Sequence, residues 1–159
     1  MNIELRDSDA ITIEEGEFIY GLVRAIKPEV CVETGTHKGF SASCIVDALE
    51  ANKKGHLYTC DTVPFQVFGH ERMTFKHCRG DEFETPNIDL LFLDGAHGKT
   101  DVLEELDHFL PKLNPYALVL FHDCDMVPNN GVNEAIAERQ MISVLILSQN
   151  RMRIWQKSQ

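Results

Sequence analysis

The stretch from Glu29 to Ser41 reads Glu-Val-Cys-Val-Glu-Thr-Gly-Thr-His-Lys-Gly-Phe-Ser, and it constrains the chain more than any other. Val30, Cys31 and Val32 form a short apolar run ended by Glu33; Gly35 and Gly39 then open the backbone, and an amphipathic pattern follows from Ser41 to Leu49. The spacing predicts a strand, a glycine turn and a helix start. Glycines there let the main chain approach a ligand with no Cβ in the way, and the helix N-terminus behind them offers unpaired N–H groups. Glu33 at the strand tip would repel a phosphate, so the loop suits a cationic or hydroxyl-bearing ligand. The dinucleotide fingerprint would need glycine where Glu33 stands, and the Walker loop would need Lys where Phe40 follows Gly39. Two glycines at a βα turn also occur for purely structural reasons, and the stretch alone leaves that reading open.

A chain of 159 residues is expected to form one domain spanning 1–159. No apolar run approaches the roughly 20 residues needed to span a bilayer, and the N-terminus lacks both a basic start and an apolar signal core. The expectation is a cytoplasmic protein with no membrane partner. A net charge of −10 pushes nucleic acid away, and no basic run overrides it. Arg151, Arg153 and Lys157 read as the solvated face of a terminal strand. The five cysteines contain no Cys-x-x-Cys pair and fall mostly on predicted strands, as reduced core residues do.

Along the chain, Thr12 and Glu15 have capping-box spacing before a helix stopped near Lys27-Pro28. The helix after the glycine loop ends near Lys53-Lys54-Gly55. Leu57–Cys60 is a second strand ending at Asp61, where a nucleoside-binding α/β fold places an acid for ribose hydroxyls; capping of the next turn is the competing role. Met73–Cys78 is a weak third strand followed by Gly80-Asp81. Only seven residues separate Asp81 from Asp89, so a strand order of three-two-one-four leaves no room for a helix there. The continuous apolar run Ile88–Leu93 predicts a strand buried on both faces, with Asp94 and His97 at its end. Thr100 can cap a helix with the inward stripe Val102, Leu103, Leu106, Phe109, Leu110 and Leu113. Asn114-Pro115 breaks that helix before a fifth strand, Ala117–Phe121, ending in His122 and Asp123. A short helix from Val132 to Glu138 precedes a closing hairpin, Ile142–Leu147 and Met152–Trp155, with its turn at 148–150.

The expected fold is therefore α/β: a Rossmann-like, doubly wound, mostly parallel sheet of about seven strands with a C-terminal antiparallel hairpin. Glu33, Asp61, Asp94 and Asp123 then share one sheet edge, where open α/β sheets bind ligands. Strand ends favour Asp as a turn residue in any case, so part of this coincidence is structural. Histidine is the side chain whose free imidazole titrates near neutral pH, about 6.5, so His97 suits a general base; local capping of the turn before Thr100 is the alternative.

Glu33-x-Gly35-x-x-x-Gly39, together with Phe92-Leu93-Asp94-Gly95-Ala96-His97 and with Pro115 before Leu118–Asp123, resembles class I S-adenosylmethionine-dependent methyltransferases of the O-methyltransferase-related branch. The resemblance spans Ile13 to Trp155. It implies that Glu33, Gly35 and Gly39, with the loop residues Thr36, His37 and Ser41, surround the methionine part of S-adenosylmethionine. Asp61 would take the ribose, Gly80-Asp81 the adenine edge, and Asp94 a place beside the transferred methyl, with His97 and Asp94 as the catalytic pair. Some members of the branch also hold a divalent metal ion at the tips of the fourth and fifth strands, which Asp94, His122 and Asp123 could match. Cys124, standing where those enzymes commonly carry Asn, departs from that pattern. The implied reaction is methyl transfer to a hydroxyl of a small-molecule or sugar-like substrate. Its pocket would come from segments 62–72 and 124–133, including Phe65, Phe68, His70, Asn129 and Asn130. The lid segments that close such enzymes over substrate are absent or minimal in this sequence; with the short 81–88 link this motivates the alternative of an idle cofactor-binding interaction module, and the short chain motivates a homo-oligomer whose neighbour supplies the lid.

Overall fold

The computed structural model describes residues 2–7, 10–85, 87–95, 97–125, 130–146 and 151–159. Thr12 and Glu15 close the capping box: the Glu15 N–H donates to the Thr12 hydroxyl oxygen at 3.2 Å and the Thr12 N–H to the Glu15 carboxylate at 2.6 Å. Helix α1 (Ile13–Ile26) follows and stops at Lys27 in a left-handed conformation. Strand β1 (Val30–Thr34) runs one residue past Glu33, and α2 (Phe40–Asn52) follows the glycine loop. Next come β2 (His56–Asp61), β3 (Met73–His77), β4 (Ile88–Leu93), α3 (Lys99–Phe109), β5 (Leu113–Phe121), α4 (Gly131–Glu138), β6 (Val144–Ile146) and β7 (Met152–Gln156). Between β3 and β4 lies a single 3-10 turn, Gly80–Glu82. That short link carries no α-helix among the described residues, as its length required.

The seven strands lie in the order β3-β2-β1-β4-β5-β7-β6. β1 to β5 are parallel, β7 runs antiparallel to β5, and β6 pairs antiparallel with β7. The order reverses between β1 and β4, which opens a crevice beyond their C-terminal ends. Along β4, Leu90 and Phe92 pack with Ile19, Val23, Ile45 and Leu49 of α1 and α2, whereas Leu91 and Leu93 join Val102, Leu106 and Phe109 of α3. Both faces are therefore covered, which explains the uninterrupted apolar run of β4.

Several boundaries differ from the sequence reading: β6 starts at Val144 rather than Ile142, and Leu113 begins β5 instead of ending the helix stripe. Thr100 is not the cap of α3; Gly98 occupies that position without a side-chain bond, and Thr100 lies inside the helix. Asn114-Pro115 does not precede β5 but lies within it. Ile88 pairs with Leu113 and Leu90 with Leu118, so β5 carries an irregularity that holds Pro115 and Tyr116, the latter at φ +65°. A proline without an N–H is tolerated at such a break, and regular pairing resumes where the apolar alternation does. The expected turn at 148–150 and Asn129 lie outside the described residues. Among those described, no helix is long and apolar enough to cross a membrane.

Candidate functional site

The glycine loop is held from below. Gly35 sits at φ +86°, and a Cβ there would run into the Asp94 carbonyl oxygen at the tip of β4. The Gly35 and Thr36 N–H groups both donate to the Cys60 carbonyl, at 2.9 and 3.2 Å. The Thr59 hydroxyl donates to Glu33 at 2.6 Å, so the Thr36 hydroxyl must donate in turn to Thr59. Glu33 is wholly buried. Burial pushes its pKa up to about 7, against the pull of the Ser41 and Thr59 hydroxyls.

Asp61, at the tip of β2, accepts from the His37 N–H and the Val63 N–H, each at 2.8 Å. It therefore fixes the loop and the turn that follows it. His37, in the left-handed region at φ +47°, turns its ring edge toward Phe65 with centroids 4.8 Å apart.

At the tips of β4 and β5 a charge network converges. His122 is buried, with Nδ1 2.8 Å from Asp94 Oδ1 and 3.3 Å from Asp123 Oδ1, and Nε2 3.3 Å from Glu15 Oε1. These contacts are off-axis ion pairs and not aligned hydrogen bonds. Burial alone would lower the His122 pKa; contact with Asp123, Asp94 and Glu15 outweighs it and holds the imidazole cationic, pushed up to about 12. Arg151 adds a second cation, 3.3 Å from Asp123 and 3.7 Å from Glu15. Despite burial, Asp123 falls to about 2 under the pull of His122, His97 and Arg151. Burial raises Asp94 even against His122. Asp123 adopts φ +53°, a conformation Asp tolerates better than most residues, and its other oxygen lies 3.2 Å from His97 Nε2. His97 is substantially exposed and so can meet both Asp123 and solvent.

These groups line one crevice of about 530 Å³, walled by Gly35, Thr36, His37, Ser41, Asp61, Gly80, Asp81, Asp94, His97, His122 and Asp123. Two of the residues expected around the cofactor, Glu33 and Gly39, are not on its wall, nor are Phe65, Phe68, His70 and Asn130 of the expected acceptor pocket. Glu33 lies beneath the loop, because its bond to Thr59 turns it into the core. Gly39 faces the side chains of Val67 and Phe68. Phe68 packs beside the core and His70 accepts from the Arg72 N–H at 3.1 Å, while Asn130 caps α4.

A family model described as a methyltransferase domain matches residues 32–124, more than half of the chain, from the middle of β1 to just past the end of β5. The chain belongs to this family. The methyltransferase domain is 31% identical over 144 residues to the uncharacterized protein y4gI of Sinorhizobium fredii (strain NBRC 101917 / NGR234). That match takes in 76% of this chain and 16% of the relative, so the chain spans a small part of its length. Among solved structures, the domain superposes on a Klebsiella pneumoniae protein assigned as an O-methyltransferase, with TM-score 0.72 and 18% identity over 96% of this chain and 84% of that one. It also superposes on the O-methyltransferase TomG of Streptomyces achromogenes, involved in tomaymycin synthesis and solved with S-adenosylmethionine. There the TM-score is 0.64 and the identity 17%, over 94% and 82% of the two chains. At these identities the likeness to the solved structures is one of fold.

The divalent ion implied for Asp94, His122 and Asp123 does not fit the residues present. His122 stands against both carboxylates as a cation, not a ligand, and Arg151 neutralises Asp123 further. The ligand atoms that do converge, within 4.8 Å, belong to Asp94, His97 and Asp123. A metal among them would face an imidazolium 2.8 Å from one of its ligands, a repulsion that low-dielectric surroundings strengthen. Sequence reasoning missed Glu15, Arg151 and Glu105. Arg151 in particular is no solvated strand face but the counter-ion of the site, and nothing in its local alternation distinguishes the two.

Proposed function

We propose that this methyltransferase domain transfers the methyl group of S-adenosylmethionine to a hydroxyl of a small-molecule or sugar-like acceptor. The observation that carries this reading is the His97–Asp123 contact of 3.2 Å at the crevice, beside Asp94. The cofactor supplies an electrophilic methyl on a sulfonium, so the protein has to align the acceptor and remove its proton. Asp123, kept ionised by His122 and Arg151, accepts from His97 Nε2–H and holds the ring, so the free Nδ1 takes the hydroxyl proton and the carboxylate stabilises the imidazolium that results. Asp94, Asp123 and Glu15 outnumber the two cations among them, which supports a positively charged ligand and disfavours phosphates. Gly35, Thr36, His37 and Ser41 would hold the amino-acid part, Asp61 the ribose hydroxyls, and Gly80-Asp81 the base.

Transfer of label from S-adenosylmethionine to a panel of hydroxylated small molecules tests the reading. The wild type is expected to turn over at least one acceptor, and His97→Ala to lower kcat by about 10²–10⁴ with cofactor affinity unchanged. Cofactor binding without transfer to any acceptor, in a well-folded protein, would favour the idle interaction module instead.

A further inference from the structure

Among the described residues, the crevice contains one buried acid that this chemistry does not use. Glu105, on α3, is 5% exposed yet lines the crevice with Cys60, Cys78, Gly80 and Asp81. Cys60, Cys78, Gly80 and Asp81 stand at the tips of β2 and β3, which by strand order is the end away from His97 and Asp123. Its only hydrogen bond among the described residues comes from the Thr34 hydroxyl at 3.4 Å, long for an O–H···O contact. Its other oxygen occupies the space a Cβ on Gly80 would fill. The turn after β3 thus carries glycine where any other residue would displace this carboxyl. The charges facing it are Asp81 and Arg79 from that turn and Asp101 from its own helix, with the Cys60 thiol nearby on β2. Arg79 is committed elsewhere, to Asp81 at 2.9 Å and Glu104 at 2.7 Å. Burial first, then Asp81 and Asp101, push the Glu105 pKa up to about 7.

A neutral carboxyl accepts one hydrogen bond through its carbonyl oxygen and donates one through its hydroxyl. The adenine edge offers the complement, an amine that donates beside a ring nitrogen that accepts. We propose that Glu105 is the residue that reads the cofactor's base, accepting from the exocyclic amine of adenine and donating to the adjacent ring nitrogen. This rests on the S-adenosylmethionine reading of the crevice. The pair is built from two distant parts of the chain: α3 brings the acid, and Gly80 gives it room. A buried carboxyl with one long hydrogen bond is costly to the fold, and a ligand that supplies its missing partners removes that cost.

Calorimetric titration tests the assignment without turnover. S-adenosylhomocysteine is compared with its analogue lacking the 6-amino group, on wild type, Glu105→Ala and Glu105→Gln, from pH 6 to 8.5. Wild type is expected to prefer the amine-bearing ligand by roughly tenfold or more at pH 6 and to lose affinity as pH rises through about 7. Glu105→Ala should bind both ligands equally. Glu105→Gln, whose amide also donates and accepts, should keep the preference while losing the pH dependence contributed by residue 105. An undiminished preference in folded Glu105→Ala overturns the proposal. If that variant does not fold, Glu105→Gln decides: a pH profile identical to wild type overturns it. A wild type that binds neither ligand overturns the cofactor reading itself, and this inference with it.

Discussion

Glu33 is the residue whose role changes most between sequence and structure. Its position at a strand tip points to a ligand, but its contact with Thr59 makes it a buried acid under the loop. An acid whose folded pKa lies above the unfolded 4.5, here at about 7, contributes stability below pH 4.5 that is lost as pH rises through 7. Glu33→Gln should therefore be more stable than wild type at pH 8.5, on the order of 3 kcal/mol. The difference should shrink as pH falls to 5, which denaturant melts at the two pH values would measure. Gly35 tests the loop from above. Gly35→Val places a branched side chain at positive φ against the Asp94 carbonyl, which should cost about 1–3 kcal/mol of stability and abolish the S-adenosylhomocysteine binding heat. Both roles were half legible: the Glu-x-Gly spacing located the loop, while the side of the loop that Glu33 faces depends on Thr59, 26 positions away.

Two helices with little sequence signal of function prove to position the reacting groups. α1 was read from its capping box, and the same Glu15 that closes the box reaches His122 at 3.3 Å. α4 approaches the turn before α3 so closely that a Cβ on Gly131 would overlap the His97 carbonyl oxygen and the Lys99 nitrogen. Gly131→Ala should therefore displace the His97 turn. The expected result is a fall in kcat of about tenfold or more with cofactor affinity retained, since a small misplacement of a reacting group is felt strongly in rate. Parallel calorimetry and turnover measurements would separate this from general loss of fold. Apolar periodicity marked both helices in the sequence. It could not mark this approach, because a glycine before a helix looks the same whether or not another backbone lies against it.

For the molecule as a whole, the network of Glu15, Asp94, His122, Asp123 and Arg151 joins α1, β4, β5 and the start of β7 around one crevice. Its two cations supply the counter-charge that a metal ion would otherwise bring. Turnover should accordingly be unchanged after exhaustive EDTA treatment and after adding back magnesium, measured on whichever acceptor the label screen finds; a loss restored by magnesium would contradict the built-in counter-charge. The N-terminal segment also borders the site. Ala10 and Ile11 line the crevice, Asp7 pairs with Lys38 at 2.6 Å, and the Asn2 N–H donates to the Ser43 hydroxyl at 3.1 Å. Sequence by itself determined the order of strands and helices, the parallel sheet with its closing hairpin, the acids at four strand tips and the methyltransferase resemblance, because period, glycine turns and strand-end residues are local patterns. Only the tertiary structure decided which of those acids face the crevice, that His122 is a cation rather than a ligand, that Arg151 belongs to the site and that Glu105 fills the space beside Gly80. These depend on strand order and on the approach of residues as far apart as Glu15 and His122, and a charge is read by its neighbours in space, which no local pattern encodes.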